Sequence, residues 1–365
     1  MEDMSRRVWP GRRRGQALPE GAPEPMASRE EISPPPPPPE PEPPDTDEPP
    51  RSRVNMAAFR LAALGLALVL TITLTLVRLF VGGPPSVEDL RRQAGVDNWP
   101  ELAIGVKDDQ PGVALRKPDG TWSGFDIDIA YMIAEDLGFR RGEVKFYAME
   151  SEDRVRMQAT DMKGARVPVK LVIASYSITP DREAETGVTF SAAYLYTEQS
   201  VLTRKDYDEV SALEDLKGRR VCTLSASTSQ AAPEDAGAIV VRKNRMKGCI
   251  DDLRAEKVDA VSTDAAILAG FKAQSPDEFE HWDLGLASTE AWGVNAGENQ
   301  ALKTLVDLTL YRSLKDPADD RWELAYENNL QREQPLNGTT PIAQAQQPDV
   351  TKPEVKEQPW ESVIP

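Results

Sequence analysis

The longest apolar run in the chain, AAFRLAALGLALVLTITLTLVRLFV, lies between Met56 and Val81 and carries charge only near its ends, at Arg60 and Arg78. Its uncharged stretch from Leu61 to Val77 predicts a membrane-spanning helix. After a short linker with Gly82, Gly83, Pro84 and Pro85 the pattern changes to short buried runs alternating with helical spacing. Leu102–Val106 reads as a buried strand. In DIDIAYMIAEDLG, Ile129, Ile133 and Leu137 fall four apart with Ala130 and Ala134 beside them, and Gly138 supplies the stop signal of a helix. Leu171–Ala174 reads as a second strand. A second set follows: strands at Val221–Leu224, Ala238–Val241 and Ala260–Ser262, with an amphipathic stretch at Met246–Leu253. Helices are expected at Asn299–Leu314 and Asp319–Leu330. The class is α/β, and neither set is large enough to stand as an enzyme domain, so two lobes with a cleft between them are predicted.

The 31 prolines gather at the two ends. Residues 1–55 show almost no apolar periodicity, and Pro34–Pro39 is an unbroken run, so this arm is expected to be disordered with a polyproline II spacer. Residues 335–365, rich in Pro and Gln, are expected to form a disordered tail. The organisation is then a cytoplasmic arm (1–55), a signal anchor (56–81), a linker (82–100) and a binding domain (101–334). Within that domain the first lobe takes 101–197 and 290–334, the second 198–289. Arg6, Arg7, Arg12, Arg13, Arg14, Arg51, Arg53 and Arg60 precede the span, whereas Arg78, Arg91 and Arg92 follow it beside Glu88 and Asp89. This bias puts the N-terminus in the cytoplasm and the domain outside the cell membrane. A cleaved signal peptide is the competing reading, against which stand the long leader and the long apolar run; there is also no cysteine near residue 80 to carry a lipid. Cys222 and Cys249, the only cysteines, both lie beyond the span, where an oxidising compartment would let them pair; two buried thiols are the alternative.

The net charge of −17 argues against a nucleic-acid partner. A single histidine, His281, and two cysteines leave no inventory for a His/Cys metal site or a Ser-His-Asp triad, and the chain has no phosphate-binding loop. No cofactor is expected.

Five ordered motifs carry more information than composition does. They are IGVKDDQPG (Ile104–Gly112), GFDIDIA (Gly124–Ala130), SYSITPDR (Ser175–Arg182), VCTLSASTS (Val221–Ser229) and KVDAVSTDAAILAGF (Lys257–Phe271). In order and spacing the chain resembles the type 3 periplasmic solute-binding proteins of amino-acid ABC transporters over most of Leu102–Leu330, and within them the glutamate- and aspartate-binding members, some of which carry the same cysteine pair. The resemblance implies a two-lobed, type II periplasmic-binding-protein fold with a hinge.

The resemblance also implies a ligand set. Arg182 would bind the α-carboxylate of an amino acid through two parallel bonds, with Ser175 by its backbone and Ser177 by its hydroxyl completing the cradle. Ser227 and Thr228, where a strand enters a helix, would offer N–H groups to the same carboxylate from the other lobe. Asp264 matches the carboxylate that takes the α-ammonium; a helix N-cap ahead of AAILAG is the competing role. Lys107 and Arg154 match positions that reach a side-chain carboxylate, with exposed surface residues as the alternative. Three cations and one anion complement an acidic amino acid, with a preference over glutamine of roughly tenfold to over a hundredfold. Phe125 and Tyr176 suit either the pocket wall or the core. The chain departs from the family pattern at Ser175, where glycine is usual, in a longer segment at Asp161–Lys170, and at Lys170, where many relatives are acidic.

The expected role is the membrane-anchored binding component of an importer, delivering glutamate or aspartate to an ABC transporter permease. The alternative is a sensor whose proline-rich arm engages a cytosolic signalling partner such as a protein kinase. Dehydratases and glycan-cleaving enzymes share this fold, but Asp264 is the one candidate acid or base in the motifs, so no catalysis is expected.

Overall fold

The computed structural model describes residues 56–80, 83–285 and 289–356. The expected disordered arm at 1–55 lies outside them, as do residues 357–365. Helix α1 (Met56–Phe80) is continuous, and its apolar side chains, among them Leu61, Leu64 and Leu66, are exposed rather than packed into a core.

The domain begins with α2 (Val87–Ala94), whose Ser86 and Asp89 form a reciprocal capping box. The first lobe is built on β1 (Leu102–Val106), the small sheet β2 (Asp109–Gln110), β3 (Ala114–Arg116) and β4 (Trp122–Ser123), and α3 (Phe125–Asp136). Then come β5 (Val144–Ala148), the hairpin β6 (Gln158–Thr160) and β7 (Arg166–Pro168), β8 (Leu171–Val172) and α4 (Pro180–Glu183). β1 lies between β5 and β8, parallel to both, and is buried along most of its length, as an apolar run covered on both faces must be. The longer segment at 161–170 is the β6–β7 turn and its exit, which places the Lys170 ammonium over the Trp99 ring.

β9 (Phe190–Arg204) runs out of this lobe and into the next. Its first half pairs with β14 (Thr289–Asn295); from Gln199 onward it pairs with β12 (Ala260–Asp264), and from Ser200 also with β13 (Phe279–Asp283). The exchange of partners between Glu198 and Gln199 marks the hinge. The second lobe has β10 (Arg220–Leu224) between β11 (Ile239–Lys243) and β12, all parallel, with α5 (Ala231–Asp235), α6 (Met246–Arg254) and α7 (Ala265–Gln274) as helices. Cys222 on β10 and Cys249 on α6 are joined by a disulfide that fastens helix to strand. β14 returns the chain to the first lobe, which α8 (Gln300–Lys315) and α9 (Arg321–Tyr326) complete.

Residues 338–356 correct the expectation of a disordered tail. They form an extended segment in which Ile342, Val350 and Val355 are buried and Gln347 donates through its amide to the Leu310 carbonyl. The composition is poor in apolar residues, yet these three side chains and a set of side-chain-to-backbone bonds suffice to dock it.

Candidate functional site

The parallel strands β1, β8, β10 and β12 end toward the cleft, where open α/β sheets place their ligands. Lys107 follows β1 and is 3% exposed; its ammonium donates to the Ser151 hydroxyl at 2.8 Å. Arg154, 4% exposed, donates from Nε to the Ser151 carbonyl, from Nη1 to the Ser175 carbonyl at 3.0 Å and from Nη2 to the Ala226 carbonyl at 3.0 Å. Arg182, on α4, donates from Nη1 to the Ser177 carbonyl at 2.8 Å and from Nη2 to the same Ala226 carbonyl at 2.9 Å. Tyr176 lies beneath both guanidinium groups, 4.3 Å from that of Arg154 and 5.0 Å from that of Arg182. It belongs to the site, whereas Phe125 is core, packed on Tyr194 and Trp322.

Among the described residues none of these three cations forms an ion pair with a carboxylate. The cost of burying Lys107 and Arg154 shows in their acidity. Burial, and then the Arg154 charge, pulls the Lys107 ammonium down to about 7. Burial, and then the Arg182 charge, pulls the Arg154 guanidinium down to about 9.

The second lobe supplies the facing wall. Thr228 and Ser177 bring their hydroxyls to 3.5 Å across the cleft. The Ser227 hydroxyl accepts from the Ser229 N–H, capping the short 3-10 turn Thr228–Gln230. Asp264 stands at the N-cap position of α7, but its carboxylate makes no capping bond. It accepts instead from Trp292 Nε1 at 2.6 Å and Ser229 Oγ at 3.3 Å, and burial followed by the Glu290 charge raises its proton affinity. All eight residues singled out in the sequence therefore fall in one connected region, with Asp264 beside Ser229 rather than bonded to the cations.

Three further residues outside the expected ligand set shape this region: Asp126, Gln110 and Ala226. Asp126, fully buried in α3, accepts from the Ser175 N–H at 3.0 Å and the Tyr194 hydroxyl at 2.9 Å. It thereby holds Ser175 at φ 42°, a left-handed conformation that a non-glycine residue adopts only under constraint. Burial pushes the Asp126 carboxyl up to about 7. The available signal was an acidic residue between core positions Phe125 and Ile127. Gln110, also fully buried, accepts at Oε1 from the Ser175 hydroxyl and has no partner at Nε2. Ala226, at φ 52°, offers the carbonyl on which both arginines meet.

Three contacts close the lips of the cleft. Arg245 bonds Asp108 at 2.6 Å, the Lys247 N–H bonds Asp109 at 2.9 Å, and Asn244 bonds Glu150 at 3.3 Å. A cavity of about 550 Å³ lies beside them, with Lys107, Asp109, Glu150 and Arg245 in its wall. Deeper in, Gly270 on α7 lies so close to Pro111 that a β-carbon there would sit 2.1 Å from the Pro111 carbonyl oxygen. Among the described residues no cluster of three or more His, Cys, Asp or Glu side chains could hold a metal ion.

Two lobes, a crossing strand and a cleft lined at the strand ends define a periplasmic-binding-protein fold. The profile of the bacterial extracellular solute-binding proteins, family 3, matches residues 102–321, and the chain belongs to that family. Similar proteins include the glutamate-binding protein GluB of Corynebacterium efficiens, 35% identical over 193 residues, which cover 51% of this chain and 63% of that protein's length. GluB of Corynebacterium glutamicum is 30% identical over 244 residues, with 61% of this chain and 80% of that protein covered. Among solved structures, an ancestral arginine-binding protein bound to glutamine aligns with a TM-score of 0.55 at 27% identity, covering 63% of this chain and 97% of its own. The membrane-bound lytic murein transglycosylase F of Ectopseudomonas mendocina is 26% identical over 220 residues, 58% of this chain and 43% of that enzyme. The family domain thus also occurs in an enzyme, although most relatives are solute-binding proteins.

Proposed function

We propose that this protein binds an acidic amino acid, glutamate or aspartate, outside the cell and without chemical turnover, as the solute-binding component of an ABC importer. The observation that carries the reading is the group of three cations, with Lys107 and Arg154 buried and Arg182 half-buried beside them, and with buried Asp264 as the site's anion. Buried cations without counter-charge are costly, and a ligand with two carboxylates and one ammonium offsets that cost where a neutral amino acid would leave one cation unpaired. In this reading Arg182 takes the α-carboxylate in place of the Ala226 carbonyl, and Asp264 takes the ammonium. Lys107 and Arg154 take the side-chain carboxylate. Glutamate binding by the two GluB relatives supports the assignment.

Helix α1 serves as the anchor in this proposal, since its length and exposed apolar side chains suit a lipid surrounding. Calorimetric titration of the full chain in detergent with glutamate, aspartate, glutamine and asparagine tests the ligand class. The acidic pair should bind at least about tenfold more tightly than the amides; equal or reversed affinities would refute the acidic assignment.

A further inference from the structure

The extended segment 338–356 touches both lobes, the hinge and the start of the domain in turn. At its beginning Asn337 bonds His281 Nδ1 at 2.6 Å and the Ala269 carbonyl, and the Thr340 hydroxyl donates to the His281 carbonyl at 3.0 Å. His281 in turn contacts the Ser200 hydroxyl at 2.7 Å, a serine–histidine–asparagine chain that is fully buried and therefore structural. These bonds all lie in the second lobe. At the hinge, Thr197 Oγ1 donates to the Ile342 carbonyl at 2.7 Å and the Gln344 N–H to the Tyr196 carbonyl at 2.9 Å. Ile342 itself is 0% exposed. Beyond the hinge, Gln347 is tied to Leu310 on α8 in the first lobe. Finally the Lys356 N–H donates to the Pro85 carbonyl, and Ser86 and Lys356 form a parallel bridge.

β9 and β14 are the two strands on which the lobes turn. Residues 338–356 add a third connection, bonded on both sides of the turning point and to the residues immediately before α2. We infer that this segment is a strap that restrains opening of the cleft, so that the closed arrangement is favoured before an amino acid arrives. The bonds fit this role because they fall at Tyr196 and Thr197, next to the exchange of strand partners, where any rotation must change backbone angles. The effect on affinity follows from population: if the strap raises the closed fraction, the apparent dissociation constant falls by the same factor. The inference rests on the reading that an amino acid closes this cleft, but it can be tested without one.

The test uses the full chain in detergent with spin labels at Lys163→Cys in the first lobe and Ile239→Cys in the second, both exposed positions. Inter-label distances are measured without amino acid in three forms: the intact chain, a chain ending at Asn337, and the paired substitution Ile342→Ala with Gln347→Ala. The strap predicts a shift toward longer distances in both altered forms, and an apparent dissociation constant for glutamate raised by roughly tenfold in the shortened one. Should the shortened chain fail to fold, the paired substitution decides the question. Distances in the folded altered proteins that match those of the intact chain would overturn the inference. A wild-type chain whose distances respond to no amino acid would instead contradict the binding reading.

Discussion

The guanidinium of Arg182 and the carbonyl oxygen of Ala226 are 2.9 Å apart across the cleft, one from each lobe. The same oxygen receives Arg154, so a single backbone carbonyl faces two cations. A carboxylate is the stronger partner for such a pair, and its arrival would exchange a neutral acceptor for a charged one. Arg182→Ala is expected to weaken binding of the acidic ligand roughly a hundredfold, and Arg182→Lys about tenfold, because the ammonium keeps the charge and loses the fork. Calorimetry on the two variants checks both the size and the order of the losses.

Ala226 adopts φ 52°, where its β-carbon crowds the backbone. Replacement by glycine removes that strain at some entropic cost in the unfolded chain. Ala226→Gly should therefore stabilise the domain by about 0.5–1 kcal/mol, read as a higher urea midpoint. A lower midpoint would show that the strain is compensated elsewhere.

Closure depends on the close approach of Gly270 to Pro111. Gly270→Ala places a methyl group against a backbone carbonyl and must separate α7 from the β2 loop. Ligand affinity should fall by roughly tenfold or more, although no proposed ligand contact is altered, and small-angle scattering with saturating ligand should show an incompletely closed domain. Unchanged affinity would mean that closure does not need this contact.

Asp126 gives stability a pH dependence whose sign is fixed. Its folded value of about 7 exceeds that of an unfolded aspartate, so between roughly pH 4 and 7 the folded state holds a proton that the unfolded state lacks. Stability from this group is present at low pH and is lost as the pH rises through 7. Glu333, buried and raised to about 8, acts in the same direction. Asp126→Asn should flatten the fall in unfolding free energy between about pH 4 and 7, by up to roughly 1.4 kcal/mol per pH unit where the charge difference is complete. Denaturant titrations at a series of pH values make the comparison.

Much of this architecture is legible in the chain. β1, α3, β10 and β12 announce themselves because their apolar runs are short, buried and bounded by glycine or charge. Lys107 lies in one of the ordered motifs and Arg154 enters only through its match to a family position, and the burial of both distinguishes them from surface cations. The hinge is harder to see. β9 is buried on both faces through most of its fifteen residues, so its run shows no alternation, and its significance lies in a change of partners that no local pattern records. The docking of residues 338–356 leaves no local signal, because Ile342, Val350 and Val355 follow no helical or strand period and the segment is held by side chains bonding distant carbonyls. Gln110 and Asp126 act through Ser175, a relationship between three separate segments that only folding brings together.

The central claim is that the cleft is built for a second carboxylate, and Lys107 offers its most direct test. Its ammonium is held near 7 by burial and by Arg154, so a ligand carboxylate beside it should raise that value and draw in a proton at neutral pH. Glutamine lacks the carboxylate and should not do so. Calorimetry at pH 6.5, 7.5 and 8.5 in buffers of different ionisation enthalpy measures both affinity and proton uptake. The account predicts that glutamate affinity falls with rising pH, accompanied by proton uptake, while glutamine affinity changes less, and that Lys107→Met abolishes the difference. Parallel pH profiles for the two ligands, or a glutamate preference that survives Lys107→Met unchanged, would contradict it.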